Sequence, residues 1–555
     1  MNTHAEVERL DHLGIIAGVI SDLKLVEFID ERIPKDSREE ISCGETVAGM
    51  ILNGLGFSDR PLTLTPQFFE NKALSRLFRA GVNAEHFNRF KLGRALDDCH
   101  AYGCDLLFSE VSAKICKAEG VDTKFNSLDT TAFALTGDYN ADSDEHTIEI
   151  THGYSKDHRP DLKQAVLEIM CSHDGGVPVI SKSWNGNASD TKIFRERAKA
   201  LVDNFKAAEG PHYLIADSKL YDAQTIEEGL GSIPFITRIP STLKLENLTI
   251  DLALQKPFEE WILFDEKHRF QVFDIEHYNL QQRWIVVHSE ERQHKAEKSV
   301  SAKCEKELEK IEKDLKKLHG EEFSCPCDAQ KALKHCFKKS KFYEVVEIGI
   351  EEHKKFESKG RPKPDSPHKL IYRIKGVVQE RHAVKQEAIK QSSCFVIGTT
   401  IPKNEVEDAS IITAYKNQNN TVEKGFRFLK DPLMFTSSLF VKKPERIMGL
   451  LMVMTLALLV YAIAQRRLHK ILKEIQETVP NQIRKETSRP TLRWIFQLLD
   501  GIELVKIHVE KAIYTVVSGL TDLRQRILSY FGSTVMKIYG LNSEPALVHR
   551  QHALE

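Results

Sequence analysis

Three acidic residues stand at positions where carboxylates are able to hold divalent metal ions. Asp129 lies within the predicted strand FNSLDTTAFAL, and Asp217 closes the apolar run YLIA. Glu423 lies in the predicted helical segment YKNQNNTVEKGFRFLKDP. Carboxylate oxygens are the ligands that Mg²⁺ and Mn²⁺ prefer, and these ions keep water molecules that a substrate is able to replace. The three residues are therefore candidates for metal-assisted chemistry on a phosphate ester.

The segments around these residues suit such a site, although each residue alone also has a structural interpretation. A carboxylate after a short apolar run lies at the carboxyl end of a buried strand, where ligand sites collect in α/β sheets. The Glu423 helix has an apolar stripe of Val422, Phe426 and Leu429. Beside it lies a polar stripe of Glu423, Arg427 and Lys430. The alternatives are a turn or cap residue for an Asp at a strand end, and a solvated ion pair for the Glu.

The segment that would position the two aspartates has the pattern of an α/β domain. A predicted hairpin, AVLEIMCSHDGGVPVISKSW, follows the first strand and turns at Asp174-Gly175-Gly176. A helix is expected from about Asp190 to Ala208, before the strand HYLIAD, and PFITRIP is expected as a further strand. Strands and helices that alternate in this way predict a sheet covered by helices.

The flanking regions have different patterns. Helical spacing of apolar residues dominates up to about residue 120, as at Leu13, Ile16, Ile20 and Leu23. Strand-like pieces surround a charged helical run near 290–320, and the chain after Thr413 has a helical pattern. We predict an N-terminal helical domain, an α/β domain in two parts, an inserted α+β module between them, and a helical C-terminal region. Their bounds are 1–120, 121–240 with 411–470, 241–410, and 471–555.

Composition and charge limit the class of protein. The chain has 555 residues, which predicts several domains, with 41% hydrophobic and 28% charged residues, as in soluble globular proteins. Its formal net charge of −2 does not decide whether it binds nucleic acid. Local surfaces matter more: residues 60–94 hold seven Lys/Arg against two acidic residues, and 441–555 hold seventeen against ten. Such basic stretches suit contacts with phosphates, and ordinary solvated faces are the alternative.

Two features invite other interpretations. The ten cysteines have irregular spacing without a signal peptide, which favours reduced thiols, and CPCDAQKALKHC fits no common zinc spacing.

The eighteen uncharged residues from Ile447 to Ala464 span about 27 Å as a helix, which is marginal for a bilayer. Basic residues flank this segment on both sides, so it encodes no orientation. We predict a buried core helix, and a membrane anchor is the alternative.

Nearly the whole chain resembles bacterial insertion-sequence transposases of the DDE class. It resembles the group with a β-rich insertion between the second Asp and the Glu, and with a helix motif of Tyr, Arg, Glu and Lys. The matching stretches are HLGIIAGVI, ILNGLGFSDRPLTLTPQFF, LDTTAFALTGDY, HGYSKDHRPDLKQ, GNASD, LIADSKLYD, FITRIP, YKNQNNTVEKGFRFLKDPLMF and KKPERIMGLLMVM.

The resemblance implies a fold and a reaction. The fold is α/β: a ribonuclease-H-like catalytic core with an inserted α+β module, an N-terminal helical domain and a helical C-terminus. Asp129, Asp217 and Glu423 are implied as the catalytic triad that holds two Mg²⁺ or Mn²⁺ ions. The intervals are 88 residues from Asp129 to Asp217 and 206 from Asp217 to Glu423, and the second is long enough for the insertion. The implied substrates are the terminal inverted repeats of a mobile element and a target DNA. The resemblance also implies that residues 1–120 form the DNA-end-binding domain and that 121–240 with 411–470 form the catalytic core.

The helix motif departs from the family pattern, which reads Tyr, x2, Arg, x3, Glu, x6, Lys. Tyr415 lies eight residues before Glu423 rather than seven, and Asn419 stands at the position of the Arg. Lys430 fits the pattern. The roles in DNA binding therefore carry over to Tyr415 and Lys430, and Arg427, one turn after Glu423, is a candidate substitute for the missing Arg.

Further DNA contacts are expected from two regions. The segment HGYSKDHRPDLK offers basic side chains for phosphates near the active site: His152, Lys156, His158, Arg159 and Lys163. Some relatives use an aromatic side chain from the insertion to hold a flipped base, and Phe395 occupies the comparable place. Trp284 has the larger ring but is less well placed, and a role in the core is the alternative for both.

We expect a cytoplasmic, nucleoid-associated bacterial enzyme that acts as a homodimer in its DNA complex. Two alternatives share the triad or the fold: a nuclease that hydrolyses DNA without strand transfer, and a relative that only binds DNA.

Overall fold

A computed structural model of the chain divides into two compact units. The first comprises Met1–Thr237 and Ser410–Glu555, and the second comprises Arg238–Ala409, so the second is inserted in the sequence of the first. These bounds lie close to those predicted for the inserted module, 241–410. The residues that the structure describes are 3–57, 61–137, 139, 146–155, 159–207, 212–356, 368–431, 441–509 and 512–541.

The N-terminal part of the first unit is one short strand followed by helices. In helix α1, Leu13, Ile16 and Ile20 are buried, as their helical spacing predicts. Helix α3 begins with a capping box, in which the Ser42 hydroxyl accepts from the Glu45 N–H at 3.0 Å. The elements are β1 Thr3–Arg9, α1 Leu13–Asp22, α2 Leu25–Arg32, α3 Cys43–Leu55, α4 Thr65–Phe69, α5 Leu74–Leu77, α6 Arg89–Tyr102 and α7 Cys104–Glu119.

A mixed sheet of helix-linked strands forms the centre of the first unit. Its elements are β2 Phe125–Leu135, β3 Lys163–Ser172, β4 Pro178–Trp184, α8 Asp190–Ala207, β5 Tyr213–Ala216, α9 Ala223–Glu228 and β6 Phe235–Arg238. The strands lie in the order β4-β3-β2-β5-β6. The first three pair antiparallel, whereas β5 is parallel to both β2 and β6. Every residue of β5 is buried, as its apolar sequence predicts.

The second unit contains an antiparallel sheet and a separate long hairpin. Strands β12, β9, β8 and β7 lie in that order, and β10 pairs with β11. Helix α11 contains the charged run predicted near 290–320, and its buried face packs with α13. The elements are α10 Lys244–Leu254, β7 Ile262–Asp265, β8 His268–His277, β9 Leu280–Ser289, α11 Glu290–Gly320, α12 Pro326–Phe337, β10 Tyr343–Phe356, β11 His368–Glu380, α13 His382–Ser393 and β12 Cys394–Thr399.

The last part of the chain mixes helices and strands. Its elements are α14 Asp408–Lys416, α15 Val422–Leu429, α16 Pro444–Glu474, β13 Val479–Pro480, β14 Glu486–Thr487, α17 Leu492–Leu498, β15 Glu503–Val509, β16 Ala512–Ser518, α18 Asp522–Ser529 and α19 Ser533–Ile538.

Helix α16 is the central helix of the first unit. It is long and apolar enough to cross a membrane, and 94% of its most apolar stretch is buried inside the structure. It packs against α3, α6, α7 and β4, and its Thr455 hydroxyl accepts from the Ser181 hydroxyl at 3.1 Å. Neighbours on all sides explain an apolar composition around the whole helix. The prediction that Ile447–Ala464 is a buried core helix is confirmed.

The prediction that residues 471–555 are entirely helical is wrong. Strands β15 and β16 pair with each other, and β15 also pairs with β1, so that Thr3 lies opposite Val509 and Arg9 opposite Glu503. The predicted 1–120 region likewise contains the strand β1 and is not helical throughout. The pairing of β1 with β15 joins distant segments, so no local signal marks it. Strands β15 and β16 form a local hairpin that the prediction of a helical region overlooked.

Candidate active site

Asp129 and Asp217 are neighbours on two adjacent strands. In the parallel pair β2 and β5, Leu128 is aligned with Ala216, so the next residue on each chain is one of the two aspartates. Adjacent strands in a sheet are about 4.8 Å apart. Asp129 is half-buried, Asp217 is exposed, and the Asp129 carboxylate accepts a hydrogen bond from the Thr130 N–H at 2.7 Å. The sheet therefore places Asp129 and Asp217 at neighbouring backbone positions.

The side chain of Asp217 is not used as a helix cap. Asp217 precedes the 3₁₀ turn Ser218–Leu220, but within the described chain its carboxylate makes no capping hydrogen bond to that turn. Asp222, a few residues later, does cap a helix: its carboxylate accepts from the Thr225 N–H at 3.1 Å. The backbone carbonyl of Asp217 accepts from the Thr237 hydroxyl at 3.1 Å, which links its chain position to β6. The alternative of a cap residue therefore does not describe Asp217.

Glu423 lies in the first turn of α15, on the exposed face of the helix. The apolar face predicted from the sequence is buried, and it consists of Val422, Phe426 and Leu429. The helix packs against β2, the strand of Asp129, and the Lys430 ammonium lies 5.8 Å from the centre of the Phe133 ring. The apolar stripe thus docks the glutamate helix on the strand that carries the first aspartate.

The carboxylate of Glu423 pairs with an amide instead of a cation. With its amide nitrogen turned toward Glu423, Asn419 donates to both carboxylate oxygens, at 2.9 and 3.0 Å. Arg427 donates to the backbone carbonyl of Asn419 at 3.2 Å. Among the described residues Glu423 has no ion pair, so the solvated ion pair is not the interpretation that fits. Asn419, which stands at the position of the Arg in the family motif, contacts Glu423 directly, and Arg427 holds Asn419 in place.

The donor set suits a hard divalent ion, but the three carboxylates do not form a closed cage. Within the described ranges, no group of three or more His, Cys, Asp or Glu side chains is arranged to hold a metal ion. The neighbouring Asp129 and Asp217 fit the oxygen chemistry of Mg²⁺ or Mn²⁺. The structure itself brings together two of the predicted ligands and docks the helix of the third on the same strand.

A network that sequence reasoning missed lies beside the two aspartates. Lys219, in the turn after Asp217, forms an ion pair with Asp190, the first residue of α8. The Thr130 hydroxyl, next to Asp129, donates to the same Asp190 carboxylate. Burial opposes the charge of Lys219, but the hydrogen bond to Asp190 and the nearby charges of Asp217 and Asp129 raise its pKa above the usual value. The stretches GNASD and LIADSKLYD contain both residues and were the available signal.

This network borders a cavity of about 260 Å³ that opens to solvent. Polar side chains from β2, β3 and the start of α8 line it, together with the exposed ring of Tyr154. The lining residues are Thr130, Thr131, Ala132, Tyr154, Gln164, Val166, Ala188, Ser189, Asp190, Thr191 and Lys219. A cavity with both polar and apolar lining residues next to the acidic pair offers room for part of a substrate.

The predicted DNA contacts in 152–163 have mixed surroundings. Arg159 is exposed and pairs with Asp161 through two hydrogen bonds of 2.9 and 2.7 Å. Lys163 donates to the backbone carbonyl of Tyr139 at 2.6 Å, a contact that holds the local chain. His152 is exposed. Lys156 and His158 lie outside the described residues.

The two aromatic candidates lie in the second unit. Trp284 is completely buried and donates to the Gln282 side chain at 3.0 Å, as a core residue does. Phe395, on β12, is 8% exposed, and the guanidinium groups of Arg238 and Arg292 lie 5.8 and 5.1 Å from its ring centre. Tyr415 is half-buried in the last turn of α14.

The basic stretch 60–94 combines paired and exposed side chains. Lys72, Arg79 and Lys91 form ion pairs with Asp11, Glu45 and Glu39 of the same unit. Arg76, Arg89 and Arg94 are not among these pairs, and Arg89 and Arg94 are exposed. Arg60 lies outside the described residues. Half of the described basic side chains of this stretch therefore stabilise the fold.

Comparisons with known proteins match part of the sequence and, weakly, the structure. A family described as "Domain of unknown function (DUF4277)" matches residues 5–113, which precede all three acidic residues. No curated protein matches the chain. A chain in the cryo-EM structure of the piggyBac transposase synaptic complex with hairpin DNA is similar at 8% sequence identity and a TM-score of 0.36. That similarity covers 89% of this chain and 82% of that chain.

Proposed function

We propose that the chain is a DNA transposase of the DDE class, which cuts the terminal inverted repeats of an insertion sequence and joins them to target DNA. The observation that carries the proposal is the alignment of β2 with β5, which places Asp129 beside Asp217. In the part of the chain that the structure describes, the Asp217 side chain caps no helix and Glu423 forms no ion pair. Their exposure leaves them accessible to a substrate.

The sheet of the first unit supports a ribonuclease-H-like core as part of this proposal. Its first strand, β2, lies in the middle of the order β4-β3-β2-β5-β6, with antiparallel strands on one side and helix-linked parallel strands on the other. Asp129 lies in β2, and Asp217 directly follows β5. Carboxyl ends of parallel strands are common places for ligand sites.

Asp129 and Asp217 would hold the metal ions, and Glu423 is assigned as the third ligand by the resemblance of its helix motif. Two Mg²⁺ or Mn²⁺ ions would activate the attacking oxygen and stabilise the leaving oxygen at the cut phosphodiester. Thr130 orients Asp129 through its backbone N–H, and Asn419 orients Glu423 through its amide. Asp129 and Glu423 would therefore be held in position before DNA binds.

Basic side chains would position the DNA without reading its sequence. We assign this role to Lys156, His158, Arg159, Lys163, Arg427 and Lys430. Tyr415 would also contact the DNA, and Phe395 would hold a flipped base. End recognition is assigned to residues 1–120. The proposed enzyme acts in the bacterial cytoplasm, associated with the nucleoid, as a homodimer on its DNA.

A strand-transfer assay tests the proposal against its closest alternative. Duplexes with the inverted repeats that flank the coding sequence, already cut to expose the 3′-hydroxyl, are incubated with the protein, Mg²⁺ and a target plasmid. We expect joined products, because a 3′-hydroxyl replaces water as the nucleophile at the same site. Hydrolysis of uncut ends without any joining would instead identify a nuclease, and binding without either reaction would identify an inactive relative.

A further inference from the structure

The turn after Asp217 places a cation directly beside the two aspartates. Lys219 is 48% exposed, and its ammonium forms an ion pair with Asp190. Among the described residues, Asp190 is its only hydrogen-bond acceptor. An ammonium has three N–H donors. Lys219 therefore retains donors for a second acceptor, in addition to Asp190.

The same ammonium faces the cavity beside the acidic pair. Lys219 lines this cavity with Thr130 and Asp190, and its nitrogen lies 6.0 Å from the ring centre of Tyr154, which is 83% exposed. A Lys over an aromatic face is stabilised as a cation. Asp190 and Tyr154 thus hold the positive charge at the edge of an open cavity.

Charge at this location limits what the space is able to bind. Asp129, Asp217 and Asp190 bring three acidic residues to one end of the sheet, so without metal ions a DNA phosphate that approached them would be repelled. Lys219 forms an ion pair with Asp190, one member of this group. A lysine is a compact point charge that binds phosphate oxygens without a fixed approach direction.

We propose that Lys219 binds a backbone phosphate next to the cleavage site, and that Asp190 is the residue that positions its ammonium. The inference rests on the proposed function, because it requires DNA at Asp129 and Asp217. Thr130 donates to Asp190 and follows Asp129 in β2, so the position of the ammonium is tied to the strand of the first aspartate. The cavity then receives the nucleotide that carries the bound phosphate.

The salt dependence of DNA binding tests this role. Full-length wild type, Lys219→Ala and Lys219→Arg are compared on duplexes from the flanking inverted repeats, with Ca²⁺ in place of Mg²⁺. Lys199→Ala is the matched control, since Lys199 is 54% exposed and pairs with Glu228 at 2.8 Å in the same unit. We expect Lys219→Ala to lower the slope of log K against log salt by about 1, and affinity at 0.1 M salt about tenfold. The arginine variant and the control should keep the wild-type slope.

A second measurement locates the phosphate. Each phosphate near the end is replaced in turn by an uncharged methylphosphonate, and binding is measured for the wild type and Lys219→Ala. One replacement should weaken the wild type about tenfold and leave the alanine variant unchanged, because the same contact is already lost. Lys219→Gln, which keeps most of the side-chain length, serves as the charge deletion if circular dichroism shows that the alanine variant is unfolded.

The possible failures are distinguishable. A Lys219→Ala slope equal to that of Lys199→Ala, or a methylphosphonate effect that persists in Lys219→Ala at every position, overturns the role of Lys219 and leaves the proposed function standing. A wild type that shows no preference for the inverted-repeat duplex over random DNA overturns both.

Discussion

The contacts of single residues at the candidate site involve neighbours that are far apart in the sequence. Asp129 and Asp217 were recognisable, because each lies in or after an apolar strand, and the parallel register of β2 and β5 brings them together. Asp190 and Lys219 were not, because an Asp that begins a helix and an exposed Lys are ordinary in any sequence. Only the sheet brings the start of α8 to the turn after β5, so their contact could not be predicted from spacing.

The same dependence on surroundings governs a histidine in the first unit. His12 donates from Nε2 to the Leu55 carbonyl at 2.8 Å, and its ring stacks on Phe496 with centres 4.3 Å apart. Loss of solvation lowers its pKa from 6.5 to about 4. His12 is therefore protonated below about pH 6.5 in the unfolded chain, but only below about pH 4 in the folded chain. The contribution of neutral His12 to the stability of the fold is complete above pH 6.5 and is lost as the pH falls.

We expect the melting temperature of the first unit to decrease between pH 7.5 and pH 5, with His12 contributing roughly 2 kcal/mol to that loss. His12→Gln, which keeps a donor for Leu55, should show a smaller decrease. His294→Gln is the control, because His294 is 76% exposed. Thermal unfolding at both pH values measures the effect. A His12→Gln protein that loses as much stability as the wild type would contradict the assignment.

At the scale of elements, strands with a clear local pattern were predicted and half-exposed strands were not. Strand β2 coincides with the predicted FNSLDTTAFAL, and the predicted turn at Gly175 and Gly176 has positive φ angles of 85° and 69°. Strand β10 and the pair β15–β16 were missed. They bury few side chains, and β15 depends on β1 at the other end of the sequence. Apolar burial gives a strong local signal, whereas pairing between distant segments gives none.

Helix α16 gives an element-scale prediction for stability. Leu451 is 0% exposed in the core of the first unit. Leu451→Ala should cost about 3 kcal/mol of unfolding free energy through the cavity that it leaves. Leu451→Arg should cost more and yield insoluble protein, since it buries an unpaired charge. Denaturant unfolding and the soluble yield measure these effects.

The matched control on the same helix is Lys470→Ala, because Lys470 is 62% exposed. It should change the unfolding free energy by less than about 0.5 kcal/mol. Active, stable protein with arginine at position 451 would show that α16 is not a core helix.

At the scale of the whole molecule, the two ends of the described chain stabilise one unit. Strand β1 pairs with β15, helices α1, α3 and α6 pack on α16, and α1 also packs on α19. The Arg446 guanidinium of α16 donates to both carboxylate oxygens of Asp97 in α6, at 2.7 and 2.6 Å. The predicted 1–120 domain therefore shares its core with the C-terminal part of the chain. The bounds of the predicted insertion were easier to place, because the pattern of apolar and charged residues changes at both of its ends.

We expect a 1–120 fragment to lack a cooperative thermal transition, because it loses the strand and helices that cover its apolar face. Circular dichroism melting and the dispersion of amide NMR signals measure this, with the full chain as the reference. A fragment that melts cooperatively and gives a dispersed spectrum would show that the N-terminal region folds alone. End recognition is therefore best measured in the full chain, for example with alanine at the exposed Arg89 and Arg94.

The proposed chemistry depends on three carboxylates that 294 residues of sequence separate from first to last. The most direct measurement is cleavage of duplexes with the flanking inverted repeats in Mg²⁺ by the wild type, Asp129→Ala, Asp217→Ala and Glu423→Ala. Binding of the same duplexes in Ca²⁺ is measured in parallel. Glu196→Ala is the control, since Glu196 is an exposed carboxylate on α8 of the same unit.

We expect each of the three variants to cut more than about 100-fold more slowly than the wild type, because metal ligands act on the transition state. Binding should stay within about threefold of the wild type, since phosphate contacts elsewhere supply most of the affinity. The control should cut at the wild-type rate. Near wild-type cleavage by any one of the three variants would contradict the triad, and for Asp129 or Asp217 it would remove the basis of the proposed function.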